Sequence, residues 1–311
     1  MAGKKMKKIS IIYASDEKYA APLTVSMYSV LANTTHHIDF YILENNIKLS
    51  TKEKIQKSLK DFNNYTLTFI PIDLNKVKNF PDLQWYSLNM YSRYFIPEIL
   101  DYLDKCIYLD VDIILKHDIA DLFSTDLDEF ALAAVVGEPD ILKENNFREH
   151  LKILGLASEH IYFGSGVLIF NSRLWRDKNL VAKLLKITDI NKNKLKYPDQ
   201  DALNILFNNN QYKKLDLFWN RDLNQLKKDV EQKVADVSSC HLIHFDGPAK
   251  PWDKNVFCDD LFWSYAVRTV FYKKPSFFTV FSGLLRYKFC ISKKRQIYKN
   301  KYKRLRKIFE S

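Results

Sequence analysis

Residues 9–43 read ISIIYASDEKYAAPLTVSMYSVLANTTHHIDFYIL. Residues 9–14 form an apolar run that reads as a buried strand. Across residues 19–33 the apolar side chains recur at helical spacing, with Leu23, Met27, Val30 and Leu31 on one side. Residues 38–43 read as a second strand. Ser50 is then an N-cap candidate, with Glu53 at capping-box spacing, for a helix reaching about residue 62. Residues 66–72 make a third strand. This alternation specifies an α/β sheet, parallel in its first half. Further on, the spacing predicts helices over 87–100 (disturbed by Pro97), 172–187, 199–208 and 259–271. Strands are predicted over 106–115, 130–136, 167–171 and 240–245.

A chain of 311 residues holds one large domain with an appendage, or two modest domains. Hydrophobic residues make up 47%, enough for a sizeable core, while only seven glycines argue against the common Gly-rich phosphate cradles. Gly164-Ser165-Gly166 is not followed by the third glycine of a dinucleotide fingerprint, because Ile169 stands there, and no GxxxxGK[ST] occurs. Nicotinamide-cofactor and P-loop chemistry therefore lose their main support. Cys106, Cys240, Cys258 and Cys290 are scattered without a CxxC pair, so neither a zinc site nor a disulfide framework is indicated. Such usage fits a reducing compartment, the cytoplasm. The run 9–14 is too short for a signal-peptide core, and no stretch reaches the ~18 apolar residues of a membrane span. The expectation is a soluble or peripheral protein.

The net charge of +11 is uneven. Residues 268–311 hold 14 Lys and Arg against one acid, Glu310, and the preceding part holds 34 basic and 36 acidic residues. A near-neutral body thus carries a strongly basic end.

Four segments carry candidate chemistry. In Tyr108-Leu109-Asp110-Val111-Asp112, alternate strand residues share a face, so Asp110 and Asp112 point together. Two carboxylates leaving an apolar strand on one side need a cation or another partner. Hard oxygen ligands favour Mg²⁺ or Mn²⁺ over Zn²⁺; solvated strand-end acids are the alternative. In residues 240–252, CHLIHFDGPAKPW, an extended chain turns His241 and His244 opposite ways. His241 reads as a core or cap histidine. His244, where the strand meets the Gly247-Pro248 turn, can complete a site begun by the aspartates, and an imidazole tilts the preference toward Mn²⁺; taken alone, it too reads as a structural histidine. Lys250 is within reach of a diphosphate. Pro198-Asp199-Gln200-Asp201 reads as a helix start with acids in its first turn, either a plain capping run or one face of a sugar pocket. The two glycines of Phe163-Gly164-Ser165-Gly166-Val167 allow close backbone approach to a ligand.

Taken in order, these segments resemble glycosyltransferase family 8, in particular the bacterial lipooligosaccharide α-galactosyltransferases and related glucosyltransferases. The likeness covers about residues 8–255 and rests on Ala14-Ser15-Asp16, Tyr91-Ser92-Arg93, the Tyr108 to Asp112 segment, residues 163–171, Asp199-Gln200-Asp201 and His244 through Trp252. The resemblance implies a GT-A fold, a Rossmann-like, mostly parallel sheet flanked by helices, and a retaining transfer from a UDP-sugar. It implies Mn²⁺ (Mg²⁺ the alternative) held by Asp110, Asp112 and His244. Ala14 and Asp16 would meet the uracil and ribose, Arg93 the donor sugar or diphosphate, and Ser165 the donor. Gly247 and Lys250 would grip the diphosphate. Asp199 would bind sugar hydroxyls, with Gln200 beneath the anomeric carbon as its catalytic companion, and Glu138 or Asp140 would add an acidic contact. One departure is Gly164, where the family usually has an Asn that helps hold the donor sugar.

The implied organisation is a catalytic domain over residues 1–255 and a basic, aromatic, helical extension over 256–311. Residues 268–311 mix basic side chains with Phe277, Phe278, Phe281, Tyr287 and Phe289, a composition suited to an anionic membrane surface. Nucleic-acid binding is the competing reading of that charge and is set aside; a solvated tail is the bland one. The expected acceptor is a glycan or glycolipid such as lipooligosaccharide, reached from the cytoplasmic face of the membrane. Two other readings are a catalytically weak sugar-nucleotide-binding subunit, prompted by Gly164, and a self-glycosylating primer resembling glycogenin. Front-side attack and double displacement through Gln200 or Asp199 both stay open.

Overall fold

The computed structural model describes residues 8–81, 88–137 and 144–272. Glu138 and Asp140, and the extension from residue 273 onward, lie outside them. The chain opens with β1 (Lys8–Asp16), α1 (Ala20–Ala32), β2 (His37–Asn45), α2 (Leu49–Ser58) and β3 (Tyr65–Pro71). A 3₁₀ stretch, Leu88–Phe95, leads through α3 (Ile96–Ile99) to β4 (Lys105–Leu109), β5 (Ile113–Leu115), α4 (Ile119–Phe123) and β6 (Leu132–Val136). Then come α5 (Asn145–Ile153), β7 (Phe163–Asn171), α6 (Ser172–Asp177), α7 (Leu180–Asn191), α8 (Pro198–Leu206) and β8 (Lys213–Leu215). The last elements are α9 (Leu223–Glu231), β9 (Leu242–His244) and α10 (Asp259–Ala266).

Seven strands form one sheet in the order β3-β2-β1-β4-β7-β6-β8. The first four run parallel, β7 is antiparallel to both of its neighbours, and β8 is parallel to β6. This is the GT-A architecture expected above. β1 is buried along its whole length between its end residues, which explains its continuous apolar run: helices cover both faces of the sheet. Ile9, Ile11 and Tyr13 pack with Leu23, Met27, Val30 and Leu31 of α1, while Ile12 and Ala14 join Tyr91 and Tyr94 on the other face. Each fully buried Ile or Leu there contributes about 1.5–3 kcal/mol. β3, at the sheet edge, alternates in exposure instead.

Several expectations shift. No capping box forms at Ser50: the N-cap is Lys48, two residues earlier, and Glu17 caps the helix by accepting from Lys48 N (3.0 Å) and Thr51 Oγ1 (2.9 Å). The helix expected over 172–187 is two helices, broken where Asn179 adopts a left-handed φ of 51°, which Asn tolerates. The helix expected over 87–100 is mostly 3₁₀. The largest correction concerns 106–115, which is not one strand. β4 ends at Leu109, one further backbone bond joins Asp110 N to Gly166 O (2.9 Å), and the chain then turns. β5 pairs with β9 in a separate two-stranded sheet, Ile113 opposite His244.

That turn positions the site. The strand order reverses between β1 and β4, so a crevice opens beyond their carboxyl ends. Asp16 ends β1 and Asp110 follows β4 at that crevice. α10 is the last described helix and packs through Phe262 and Ala266 against Ile243 and Phe245. No helix among the described residues is long and apolar enough to cross a membrane.

Candidate active site

A cleft of about 890 Å³ lies at the crevice. Ala14, Asp16, Arg93, Asp110, Asp112, Ser165, Asp199, Gln200, His244, Gly247 and Lys250 all line it. His241 does not: its ring stacks on His117 at 4.2 Å and meets Trp219 at 4.7 Å, in keeping with a packing role.

Asp110 and Asp112 do converge, but through the β4–β5 turn and not through strand alternation. β9 brings His244 across from far along the chain. His244 Nε2 lies 3.1 Å from Asp112 Oδ1 and 3.8 Å from Asp110 Oδ2. One ligand atom from each of the three residues falls within 4.8 Å of the others, the one such group among the described residues. Lys250 Nζ donates to Asp112 Oδ2 and to Phe245 O (2.8 Å).

The charges here are strongly coupled. Burial pulls the His244 imidazole down, but the carboxylates around it, Asp112 foremost with Asp246 and Asp110, together push it up to about 9. Against its own burial, Asp112 is held well below the usual carboxylate range by His244 and Lys250. Burial lifts the neighbouring Asp246 to about 6.

The donor set fits a hard divalent cation with an imidazole ligand. One further observation agrees. Gly166 leaves a cradle beside the group: a Cβ there would stand 2.4 Å from His244 Cε1 and 2.9 Å from Asp110 Oδ2.

Arg93 organises the opposite wall. It is 5% exposed. Nη2 donates to Asp110 Oδ1 (2.9 Å), Nη1 to Ser165 O (2.6 Å) and Nε to Met90 O (3.0 Å). Nη1 also lies 3.2 Å from Asp199 Oδ2, and the guanidinium sits over the Tyr108 ring at 4.5 Å. Arg93 is thus a planar clamp between two carboxylates, a task Lys cannot copy. Burial raises the Asp199 carboxyl, and Arg93 offsets only part of that rise.

Gln200 is held at both ends of its amide. Oε1 accepts from Ser165 N (2.9 Å), and Nε2 donates to Tyr162 Oη (3.2 Å). Tyr162 in turn donates to Asp201 Oδ1 (2.5 Å). Asp201 is fully buried and also accepts from His150 Nε2 (3.0 Å) and from the backbone N–H groups of Lys196 (2.7 Å) and Tyr197 (2.9 Å). The two acids of the Asp199-Gln200-Asp201 run therefore diverge. Asp199 faces the cleft, and Asp201 anchors the frame that holds Gln200.

Sequence reasoning did not single out Tyr162, His150 or Asn220. Asn220 Oδ1 lies 2.9 Å from His244 Nδ1. Its neighbours Trp219 and Arg221 form no recognisable motif with it, and only the fold brings it to β9.

Comparison with known proteins agrees with this geometry. The model of glycosyl transferase family 8 matches residues 10–256. The chain is 32% identical over 257 residues to the lipopolysaccharide 1,2-glucosyltransferase of Escherichia coli, covering 79% of this chain and 73% of that one. It is 28% identical over 252 residues to the lipopolysaccharide 1,3-galactosyltransferase of Salmonella typhimurium, again covering 79% and 73%. The galactosyltransferase LgtC, crystallised with donor and acceptor sugar analogs, has a TM-score of 0.74 at 24% identity. That match covers 84% of this chain and 96% of LgtC, and it speaks for the fold.

Proposed function

We propose, because this chain belongs to glycosyl transferase family 8, that it moves a hexose, galactose or glucose, from a UDP-sugar to a surface-glycan acceptor such as lipooligosaccharide, with retention of configuration. The observation that carries this reading is the meeting of Asp110, Asp112 and His244 in one cleft with Lys250 beside them. Lipopolysaccharide-directed relatives support the acceptor class.

Asp110, Asp112 and His244 would hold Mn²⁺, or Mg²⁺ as the alternative. Bound there, the metal supplies a Lewis acid for the charge that grows on the leaving diphosphate. Ala14 and Asp16, at the end of β1, would receive the uracil and ribose. Gly247, left-handed at φ 76°, bends the chain so that Lys250 comes back onto the cleft, where its Nζ would donate to the diphosphate. Asp199 would accept from a sugar hydroxyl, with Ser165 Oγ steadying its Oδ2 at 3.0 Å. The fixed amide of Gln200 would sit beneath the anomeric carbon. An amide oxygen is a weak nucleophile, so we favour front-side attack assisted by the departing phosphate.

Mn²⁺-dependent UDP release from a panel of UDP-sugars tests this reading. One hexose donor is expected to be hydrolysed without acceptor, and EDTA is expected to stop the reaction. Absence of both UDP binding and sugar release sinks the proposal, whereas tight binding without release favours a sugar-nucleotide-binding subunit.

We further propose the division at 255/256, beside the end of the family match at residue 256, and a peripheral position on the cytoplasmic membrane face through residues 268–311. Each basic residue near an anionic surface contributes about 1 kcal/mol. In a pelleting assay the full chain is expected to bind vesicles containing phosphatidylglycerol and to release them at high salt. Equal binding to neutral vesicles would refute electrostatic docking.

A further inference from the structure

We infer that Asn220 is the positioning residue for His244, and that Gly164 supplies the room it needs. This rests on the metal reading of the site given above. Asn220 closes the short 3₁₀ turn Leu217–Trp219, and its backbone N–H donates to Leu217 O (3.1 Å). That turn is stitched to the strand carrying His244 at two points. His241 N donates to Phe218 O (2.9 Å), and Arg221 bridges to Ile243. The Arg221 guanidinium is anchored in turn on Asp229 at 2.5 Å. Asn220 is therefore fixed relative to β9 by backbone, not by its side chain alone.

The side chain has a defined orientation. Its Oδ1 lies on His244 Nδ1 at 2.9 Å, and its Nδ2 lies 3.2 Å from the point where a Cβ on residue 164 would stand. An amide oxygen only accepts, so Nδ1 carries a proton, and the lone pair of a neutral ring is left on Nε2. Nε2 is the nitrogen that faces Asp110 and Asp112. Without an acceptor at Nδ1 the metal-free ring loses the bond that fixes its rotation and shields that proton from exchange, and the neutral ring that a metal requires is free to take the other tautomer. Such outer partners of metal-binding imidazoles typically contribute 10–100-fold in metal affinity.

The test uses the full chain with Mn²⁺ as the probe. Free Mn²⁺ is read by electron paramagnetic resonance in the presence of UDP, for the wild type, Asn220→Ala and Asn220→Asp. Nitrogen-15 NMR of the histidine side chains follows the His244 Nδ1 proton without metal. Asn220→Ala is expected to weaken Mn²⁺ binding roughly 10–100-fold and to lose the slowly exchanging Nδ1 proton. Asn220→Asp keeps an acceptor at that place and is expected to restore both. An Ala variant with wild-type affinity and an unchanged Nδ1 signal overturns the inference, as does an Asp variant as weak as the Ala variant. Failure of the wild type itself to bind Mn²⁺ overturns the metal reading, and the Nδ1 signal then judges Asn220 separately.

Discussion

Asp112→Asn is expected to lower Mn²⁺-supported hexose transfer by roughly 10²–10³-fold while the protein stays folded. Asp112 is 8% exposed and faces two cationic side chains. His244 Nε2 is 3.1 Å from one oxygen, and Lys250 donates to the other. Asparagine keeps the shape and one acceptor, but it removes the charge and turns the second oxygen into a donor aimed at an ammonium. A hard cation at this group would lose an anionic ligand, and Lys250 would lose the partner that holds it over the cleft. The stability loss is smaller than the usual ~3–5 kcal/mol for breaking a buried ion pair. Without the carboxylate, His244 loses the foremost of the neighbours that lift it to about 9, so the ring gives up its proton more readily than it would stay charged and buried. We expect about 1–2 kcal/mol, of the order of one lost hydrogen bond to a charged group. Initial-rate kinetics over a Mn²⁺ series, with thermal melts of both proteins, separate the two effects. Full activity in the variant would refute the metal role of Asp112.

What the sequence revealed follows from what periodicity encodes. The β1–α1–β2 unit was readable because a strand buried on both faces must be apolar throughout, and a covering helix must repeat its apolar side. The Asp110–Asp112 pair was readable as a pair, but its cause was misread: local alternation cannot reveal that the ladder of β4 ends at Leu109 and that the next strand joins another sheet. The pairing of His244 with Asp112 spans 132 positions. No local pattern carries such a distance: the residues offered His244 only as one candidate to complete the site, and the resemblance to a known family singled it out. Asn220 carried no signal of either kind, since its value comes from a backbone stitch to β9. Gly164 and Gly166 were seen as places where a ligand could come close. In the fold both glycines line the cleft, and each also clears space for protein side chains, Asn220 beside one and His244 with Asp110 beside the other.

Gly166→Ala gives the second large effect, a loss of roughly 10²-fold in turnover with a matching loss of Mn²⁺ affinity. The backbone here needs no left-handed angle, for Gly166 is not among the positive-φ residues. The requirement is clearance. An alanine Cβ would stand 2.4 Å from His244 Cε1 and 2.9 Å from both His244 Nδ1 and Asp110 Oδ2, so something must move. The strand cannot give easily, because β7 lies between β4 and β6, and Gly166 O accepts from Asp110 N. Asp110 is tied by Arg93 and by Tyr108 Oη at 2.7 Å, and the His244 ring is tied by Asn220 and Asp112. The ring and the carboxylate therefore yield together, and the ligand set opens by a fraction of an ångström to about 1 Å, a misplacement that ordinarily costs about 10² in rate. Gly164→Ala is the internal comparison. Its Cβ would stand 3.2 Å from the end of the Asn220 side chain and 3.8 Å from Gln200 Oε1, the second an ordinary contact, so a loss of about fivefold or less is expected. Circular dichroism and melting of both variants exclude global unfolding. Should Gly166→Ala retain activity within a few-fold of wild type, the cleft does not depend on this cradle, and the tight packing of His244 and Asp110 around it has no bearing on catalysis.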